Sequence, residues 1–245
     1  MSKLLTSVRS LAEAKLALGA GADWLDLKEP KAGALGAVPI ETVSQVVEWS
    51  NAHQVQVPVS ATIGDCWDTP ELIPTRVAAM AESGVDFVKI GIYADRFTAE
   101  TAMAIKSSVG FSARLIVLCF AEAPPTEAHI HAILELGASG LMLDTAEKKS
   151  GRLNDKMSMA DIEKFVATVK KQQGLCGLAG SLGIEDIDAL VNCGADYLGF
   201  RGALCDQRMR DGELSAKQVA RLKNRLQQAN VSRATDVMIS NQRNT

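Results

Sequence analysis

Two lysines, Lys28 and Lys89, stand at or near the ends of short apolar runs that begin Gly-Ala-Asp and Gly-Val-Asp. A lysine attacks a carbonyl carbon to form a Schiff base only as the neutral amine. An ordinary lysine, with a pKa of about 10.4, is neutral in roughly one molecule in 2,500 at pH 7. Burial and a second nearby ammonium both disfavour the charged form. Two lysines in one pocket therefore indicate Schiff-base chemistry.

The phrase that carries these lysines occurs four times, starting at Gly21, Gly84, Gly137 and Gly194. In each copy a glycine suited to closing a helix precedes a short apolar strand, and an ionisable residue follows at or near the strand's end. The third and fourth copies end in Asp144 and Arg201. Apolar strands that end in ionisable groups indicate a buried sheet with a reactive edge.

Further strand candidates lie before and between these phrases, at Leu4–Val8, Val57–Ile63, Arg114–Phe120 and Gly174–Ser181. Helical segments alternate with the strands, at Ser10–Ala20, Pro39–His53, Pro70–Ser83, Thr98–Ser108, Pro125–Leu136, Ser158–Gln173, Ile184–Asn192 and Ser215–Ala229. Eight such pairs predict an α/β protein with a single (β/α)8 TIM barrel over residues 1–229. An open doubly wound sheet is less favoured, because no GxGxxG follows the first strand. Residues 230–245 are polar without clear periodicity, and we expect a mobile tail.

The alternation of side chains along a strand decides which residues face the barrel axis. In the second strand Asp26 and Lys28 share one face, opposite two leucines that suit the layer of helices. The same parity sends Lys89, Asp144 and Arg201 inward at C-terminal strand ends, where barrel enzymes hold their catalytic groups. A purely structural ion pair between Lys28 and Asp26 is the alternative, although two lysines and an aspartate at one end favour a site.

Glycines follow the seventh and eighth strands, where many barrels bind phosphate through backbone N–H groups. We expect Gly180, Ser181, Arg201 and Gly202 to contact a phosphate group, although the glycines alone are also compatible with tight turns. The segment from Lys31 to Gly36 directly follows Lys28 and is a candidate for a second anion site. The charged run from Thr145 to Asp155 is a candidate lid.

Composition excludes several other classes of function. Net charge is −3, charged residues make up 22% of the chain, and no apolar run reaches the roughly 20 residues of a membrane span, so neither nucleic acid nor a membrane is an expected partner. The five cysteines are scattered and form neither a zinc-type pair nor a disulfide framework. We expect a cytoplasmic enzyme without a metal.

The segments at the predicted strand ends together resemble the (5-formylfuran-3-yl)methyl phosphate synthase family, also called 4-(hydroxymethyl)-2-furancarboxaldehyde-phosphate synthase. The resemblance runs from about Leu4 to Leu226. It rests on six motifs, at 26–36, 60–65, 88–93, 144–146, 178–182 and 201–203. Each motif is weak alone, and the set is specific. Cys119 to Pro125 departs from the family's pattern.

The resemblance implies a TIM barrel that condenses two glyceraldehyde 3-phosphate molecules into the furan precursor of methanofuran, with loss of phosphate and water and without a cofactor. It implies that Lys28 is the Schiff-base lysine and Lys89 the proton acceptor. By the same resemblance, Asp144 and Lys148 are further active-site residues. Asp26 and Asp65 lie within the shared motifs, so we expect them among the catalytic and the substrate-binding groups respectively.

Two other functions stay open from the residues alone. A class I aldolase acting on another phosphorylated sugar would use the same lysine chemistry. A sugar-phosphate-binding barrel without catalysis would need the same phosphate-binding loops. The sequence is compatible with a homo-oligomer and does not fix the oligomeric state.

Overall fold

In the computed structural model, which describes residues 1–147 and 150–243, eight parallel strands close into a barrel in which each strand pairs with the next along the chain and the last pairs with the first. The strands are β1 (Lys3–Val8), β2 (Trp24–Leu27), β3 (Val59–Thr62), β4 (Phe87–Ile92), β5 (Arg114–Phe120), β6 (Gly140–Asp144), β7 (Leu175–Leu178) and β8 (Tyr197–Phe200). The predicted (β/α)8 fold is confirmed.

A helix follows each strand along the chain, and the α-helices of the described residues are α1 (Leu11–Gly19), α2 (Ile40–Ala52), α3 (Ile73–Glu82), α4 (Ala99–Ser107), α5 (Glu127–Glu135), α6 (Leu153–Lys156), α7 (Met159–Lys171), α8 (Ile187–Cys193) and α9 (Ala216–Arg243). Side chains of Ser10, Thr98, Thr126 and Ser158 accept backbone N–H groups in the first turn and fix where four of the helices begin. The one-turn helix α6 lies in the loop after β6 and was not predicted.

The buried residues form two layers that follow the predicted parity. Leu25 and Leu27 of β2 pack outward against the helices, together with Val88 and Ile90 of β4. The inward layer contains apolar side chains from six of the eight strands, namely Leu5, Trp24, Phe87, Ile116, Leu118, Phe120, Met142 and Tyr197, with Ala179 just beyond β7. The inward face is therefore apolar except where the polar side chains of the strands interrupt it.

An aromatic layer fills the barrel below its charged end. The rings of Phe87 and Tyr197 each lie with their centroids 4.7 Å from that of Trp24. Gly177 faces the Tyr197 ring across the β7–β8 pair, and a Cβ at this position would collide with that ring. The absence of a side chain at Gly177 thus gives the barrel room for a tyrosine, and the layer gives the charged end an apolar floor.

The C-terminal helix differs from the prediction. We expected the last helix to end at Ala229, but α9 continues to Arg243. The Asn230 side chain is buried, where it accepts the Ser2 N–H at 2.8 Å and donates to the Ser2 carbonyl at 2.9 Å, so the helix is anchored to the N-terminus of the chain at this point. The following turns present Val231 and Met238 to solvent and have no barrel face to follow, so they lack a strong apolar period. The mobility of this segment stays a prediction.

Among the described residues, the helices fall short of the length and apolar character that crossing a bilayer would require.

Replacing Gly177 with alanine should destabilise the barrel by about 1–3 kcal/mol, because the added methyl overpacks the core against Tyr197. The free energy of unfolding in urea measures the effect. Gly19→Ala is the matched control, since no atom lies within 4 Å of the added Cβ at the end of α1, and it should be neutral or slightly stabilising. Equal stability of the two variants would contradict the packing described here.

Candidate active site

A cavity of about 630 Å³ opens at the C-terminal ends of the strands. Four charged side chains line its deeper part, and all four are nearly excluded from solvent: Asp26, Lys28, Lys89 and Asp144. Its rim consists of residues from the loops after β6, β7 and β8. The structure therefore brings together the four catalytic candidates that it describes. The fifth, Lys148, lies outside the described residues.

The deeper ion pair joins Lys89 to Asp26. Lys89 Nζ lies 2.9 Å from Asp26 Oδ1, and the two side chains are 1% and 4% exposed. Asp26 also accepts the Ser60 hydroxyl at 2.6 Å and the Ser7 hydroxyl at 3.4 Å. The Lys89 ammonium further lies 5.6 Å from the centroid of the Tyr197 ring, a favourable cation–π distance. Lys89 is thus a buried cation that rests on one carboxylate and one aromatic ring.

Burial and neighbouring charge act in opposite directions on this pair. Burial lowers the pKa of Lys89, and the Lys28 ammonium lowers it further, while the Asp26 carboxylate opposes both without cancelling them. Burial alone would raise the pKa of Asp26, but the Lys89 and Lys28 charges and the Ser60 hydroxyl outweigh it, so that this pKa lies below its ordinary value. Asp26 therefore stays ionised, while Lys89 gives up its proton more easily than an ordinary lysine.

The second ion pair joins Lys28 to Asp144, with 3.5 Å between Nζ and Oδ2 and with the side chains 9% and 2% exposed. Asp144 Oδ1 also accepts the N–H of Thr145 at 2.8 Å, which holds the carboxylate at the start of the following loop. The sequence also allowed a purely structural ion pair between Lys28 and Asp26. In the structure Asp26 pairs with Lys89 instead, and Lys28 pairs with Asp144, closer to the cavity opening.

Arg201 does not have the predicted role in phosphate binding. Strand β8 ends at Phe200, and the side chain of Arg201 extends to Glu13 of α1, to which it donates at 2.6 and 3.0 Å. Its remaining N–H groups donate to the carbonyls of Ser7, Arg210 and Gly212 at 2.8 to 3.1 Å. Because a guanidinium has five N–H donors and all are used inside the protein, none is left for a substrate.

The predicted glycine segments do lie at the cavity. Gly180, Ser181 and Gly202 line it. Gly180 and Ser181 have φ angles of +114° and +51°, which turn the chain sharply after β7, and a Cβ at Gly180 would collide with Thr145. The turn thus packs the β7 loop against the residue that follows Asp144. Phosphate binding by these residues stays a prediction.

Most of the segment from Lys31 to Gly36 lies away from the cavity, and anion binding by Lys31 stays a prediction. Leu35 is fully buried and packs into the barrel interior over Gly91, where a side chain would leave no room for it. Thr62 Oγ1 donates to the Gly36 carbonyl at 3.0 Å and holds the end of the loop. This loop caps one side of the barrel, and only Lys31 reaches the edge of the cavity.

Asp65 is also placed differently from the prediction. Its side chain is exposed, is not among the residues that line the cavity and accepts the backbone N–H of Leu35. Asp65 therefore holds the capping loop. The motif identified the right neighbourhood but not the function of the carboxylate, because the contact depends on a loop conformation that the sequence does not reveal.

Sequence reasoning included Arg152 in the candidate lid but assigned no role to the other arginines at the rim, Arg208 and Arg210. Arg152 and Arg208 both pair with Glu185, at 3.3 and 3.2 Å, and so connect the loops after β6, β7 and β8. Arg210 lines the cavity as well. The signal was present, since arginines 208 and 210 stand in a glycine-bounded loop directly after the eighth strand.

The segment after β5, which departs from the expected family pattern, also has a role at the site. Glu122 accepts the N–H groups of Ala146 and Glu147, at 3.0 and 3.3 Å. Its carboxylate thereby holds the beginning of the loop that follows Asp144. Across the residues that the structure describes, no cluster of three histidine, cysteine or acidic side chains could hold a metal ion.

Comparison with known proteins identifies the family of this chain. The 4-HFC-P synthase family model matches residues 4–223, which include both lysines, both aspartates and the three rim loops. The chain belongs to this family. The resemblance expected from the six motifs is thereby confirmed.

Individual relatives of this 4-HFC-P synthase family member agree. The (5-formylfuran-3-yl)methyl phosphate synthase of Methanococcus maripaludis (strain C5) is 32% identical over 213 residues, covering 82% of this chain and 89% of the relative. That of Methanopyrus kandleri is 31% identical, with coverages of 84% and 90%. A protein of Methylorubrum extorquens to which the same name is provisionally attached is 38% identical, with 89% of each chain covered.

Solved structures share the fold at low sequence identity. A phosphoribosyl anthranilate isomerase from Thermus thermophilus superposes with a TM-score of 0.65 at 18% identity, over 92% of this chain and 98% of the other. A structure described as native KDPGal gives 0.62 at 17% identity, with coverages of 95% and 96%. At this identity the likeness establishes the barrel alone.

Replacing Lys89 with methionine should lower the free energy of unfolding by about 3–5 kcal/mol, because Asp26 would stay buried without its cation. The double variant Lys89→Met/Asp26→Asn should recover a large part of the loss, since no uncompensated charge remains. Urea unfolding of the two single variants and the double variant measures the coupling. Additive losses would show that the two side chains do not depend on each other.

Proposed function

We propose that the protein is a (5-formylfuran-3-yl)methyl phosphate synthase, a carbon–oxygen lyase that condenses two molecules of glyceraldehyde 3-phosphate through a lysine Schiff base and releases phosphate and water. The product would be the furan precursor of methanofuran. The observation that carries this proposal is the pair of lysines at the base of one cavity, each held by a different carboxylate. Family membership supports the reaction, and this arrangement supports the mechanism.

Lys28 is the better placed nucleophile. It lies nearer the cavity opening than Lys89, which is 1% exposed and packed above the aromatic floor. The Asp144 carboxylate, 3.5 Å from Lys28 Nζ, is close enough to take one proton from the Lys28 ammonium, which frees the amine to attack the aldehyde carbon of the first triose phosphate, and to give that proton to the aldehyde oxygen of the carbinolamine. Asp144 then moves a second proton from the carbinolamine nitrogen to its hydroxyl group, so that water departs and the iminium remains on Lys28.

Lys89 suits the following proton transfer. The iminium formed on Lys28 acidifies the adjacent C–H bond, and a neutral amine can remove that proton to leave an enamine. The lowered pKa of Lys89 makes this neutral form more accessible than in an ordinary lysine. The enamine carbon then forms a bond to the carbonyl carbon of the second triose phosphate. Loss of phosphate and water produces the aromatic ring, whose stability makes the sequence effectively irreversible.

The phosphate groups would bind at the rim rather than at the base. Backbone groups of Gly180, Ser181 and Gly202 line the cavity on the side of β7 and β8, where phosphate-binding barrels hold their ligands. This part of the rim would hold one phosphate. The carbonyl end of that triose would then point down towards the two lysines.

Incubation of the purified protein with glyceraldehyde 3-phosphate alone should release inorganic phosphate and give a product with the mass and ultraviolet absorbance of the furan phosphate. A reversible aldol adduct without free phosphate would instead identify a class I aldolase. Borohydride reduction during turnover should add substrate mass to the peptide that contains Lys28.

Lys28→Ala should abolish this trapping while circular dichroism stays unchanged. The matched control Lys164→Ala, which replaces an exposed lysine paired with Glu127, should trap like the wild type. Adduct retained in Lys28→Ala would place the Schiff base on another lysine. A wild-type protein with neither adduct nor turnover would be a binding barrel.

The acid limb of kcat against pH should move to lower pH in Asp26→Asn. The Asp26 carboxylate stabilises the charged form of Lys89, so removing it lowers the pKa of Lys89, and the neutral base appears at lower pH. Rates of phosphate release across the pH range measure the shift. Asp95→Asn, an exposed carboxylate variant, should leave the limb in place. An acid limb unchanged in Asp26→Asn would exclude Lys89 as the base.

A further inference from the structure

The loop after β8 is built to present one side chain to the cavity. Arg201 donates to the Arg210 carbonyl at 2.9 Å and to the Gly212 carbonyl at 2.8 Å, so the buried guanidinium fixes the end of the loop from below. Cys205 and Leu214 form an antiparallel bridge that joins the two arms of the loop. The backbone around Arg210 is thus held in place by contacts that do not involve the Arg210 side chain.

The Arg210 guanidinium has donors to spare. It is half-buried and lines the cavity, and within the described residues its one hydrogen bond goes from Nη2 to the Gly33 carbonyl at 3.2 Å. Burial lowers the pKa of Arg210, while the carboxylates of Asp144 and Asp211 oppose this effect. A guanidinium remains charged at neutral pH under such a shift. Most of its five N–H groups are therefore available to an anion in the cavity.

The other cations of the cavity are committed elsewhere. Lys28 and Lys89 each face a carboxylate, and Arg201 has no donor left. Arg152 and Arg208 both pair with Glu185, and Lys31 is exposed. Arg210 is therefore the partly desolvated cation of the described cavity that retains donors. It lies close enough to Asp144 to feel its charge, and Asp144 contacts Lys28.

We infer that Arg210 binds the phosphate group of the aldehyde that reacts with Lys28. The planar fork of a guanidinium matches two phosphate oxygens, and partial burial strengthens the contact relative to one in water. The Gly33 contact fixes the guanidinium between the loops after β2 and β8, so little side-chain freedom is lost when the phosphate binds. This inference rests on the proposed Schiff base at Lys28, and it assigns specificity for phosphorylated aldehydes to a residue outside the strands.

The test compares capture at Lys28 by borohydride over a range of glyceraldehyde 3-phosphate and of glyceraldehyde concentrations. Arg210→Ala should raise the half-saturating concentration of the phosphorylated aldehyde about 10- to 100-fold, the loss expected for a charge-assisted contact, and leave that of glyceraldehyde unchanged. Arg210→Lys keeps the charge but loses the planar fork, so its half-saturating concentration for the phosphorylated aldehyde should lie between those of the wild type and Arg210→Ala. Arg225→Ala, which removes an arginine paired with Asp188 on the outer helices, should behave like the wild type with both aldehydes.

Equal weakening of both aldehydes in Arg210→Ala would show a structural effect on the loop, and no change with either would place the phosphate elsewhere. Either result overturns the inference. The failure of the proposed function has a different signature. A wild-type protein that captures the phosphorylated aldehyde but releases no furan is not the synthase. In that case the half-saturating concentrations of the two aldehydes, compared between the wild type and Arg210→Ala, still test the role of Arg210. If the wild type captures neither aldehyde, calorimetry with inorganic phosphate decides: equal binding by the wild type and Arg210→Ala overturns the inference, and weaker binding by Arg210→Ala with intermediate binding by Arg210→Lys supports it.

Discussion

Two lysines can share one barrel only because each has its own carboxylate. Four charges lie together near the centre of an otherwise apolar barrel, and burial would be costly for any one of them alone. The pairing of Lys89 with Asp26 and of Lys28 with Asp144 makes the set neutral when all four are ionised. The two pairs are not equivalent, since one is sealed above the aromatic floor and the other faces the opening. This difference in burial is what the proposed mechanism uses, with Lys28 as the nucleophile and Lys89 as the base.

The parity of the strands made the central part of this site predictable. Asp26, Lys28, Lys89 and Asp144 lie where alternation along extended strands places them, because each stands in a strand or at its end. Alternation predicts the direction of a side chain only where the backbone is extended. Arg201 stands one residue beyond β8 with a ψ angle of −67°, and its side chain points to Glu13 rather than to the barrel axis.

The loops were less predictable, because their conformations depend on contacts between segments that are distant in sequence. Leu35 is an unremarkable residue in a glycine-containing stretch, and its insertion over Gly91 depends on room left by another strand. Asp65 was correctly associated with this region but holds the loop instead of a ligand. The last helix continues beyond Ala229, and its next residue, Asn230, accepts a hydrogen bond from Ser2 near the other end of the chain. The local pattern of apolar and polar residues does not predict any of these contacts.

Leu35 also makes the cavity asymmetric. With this leucine inside the barrel, and with Phe120 at the end of β5 packed against Tyr93 just after β4, the rim of the cavity lies mostly at the loops after β6, β7 and β8, while residues from strands all around the barrel line its base. The aromatic layer closes the barrel beneath it. Within the part of the chain that the structure describes, the cavity opens at the C-terminal ends of the strands and has an apolar base. If the protein joins two molecules as proposed, a chamber of this shape imposes an order of occupancy: the molecule bound deepest enters first and leaves after the one above it has reacted or withdrawn.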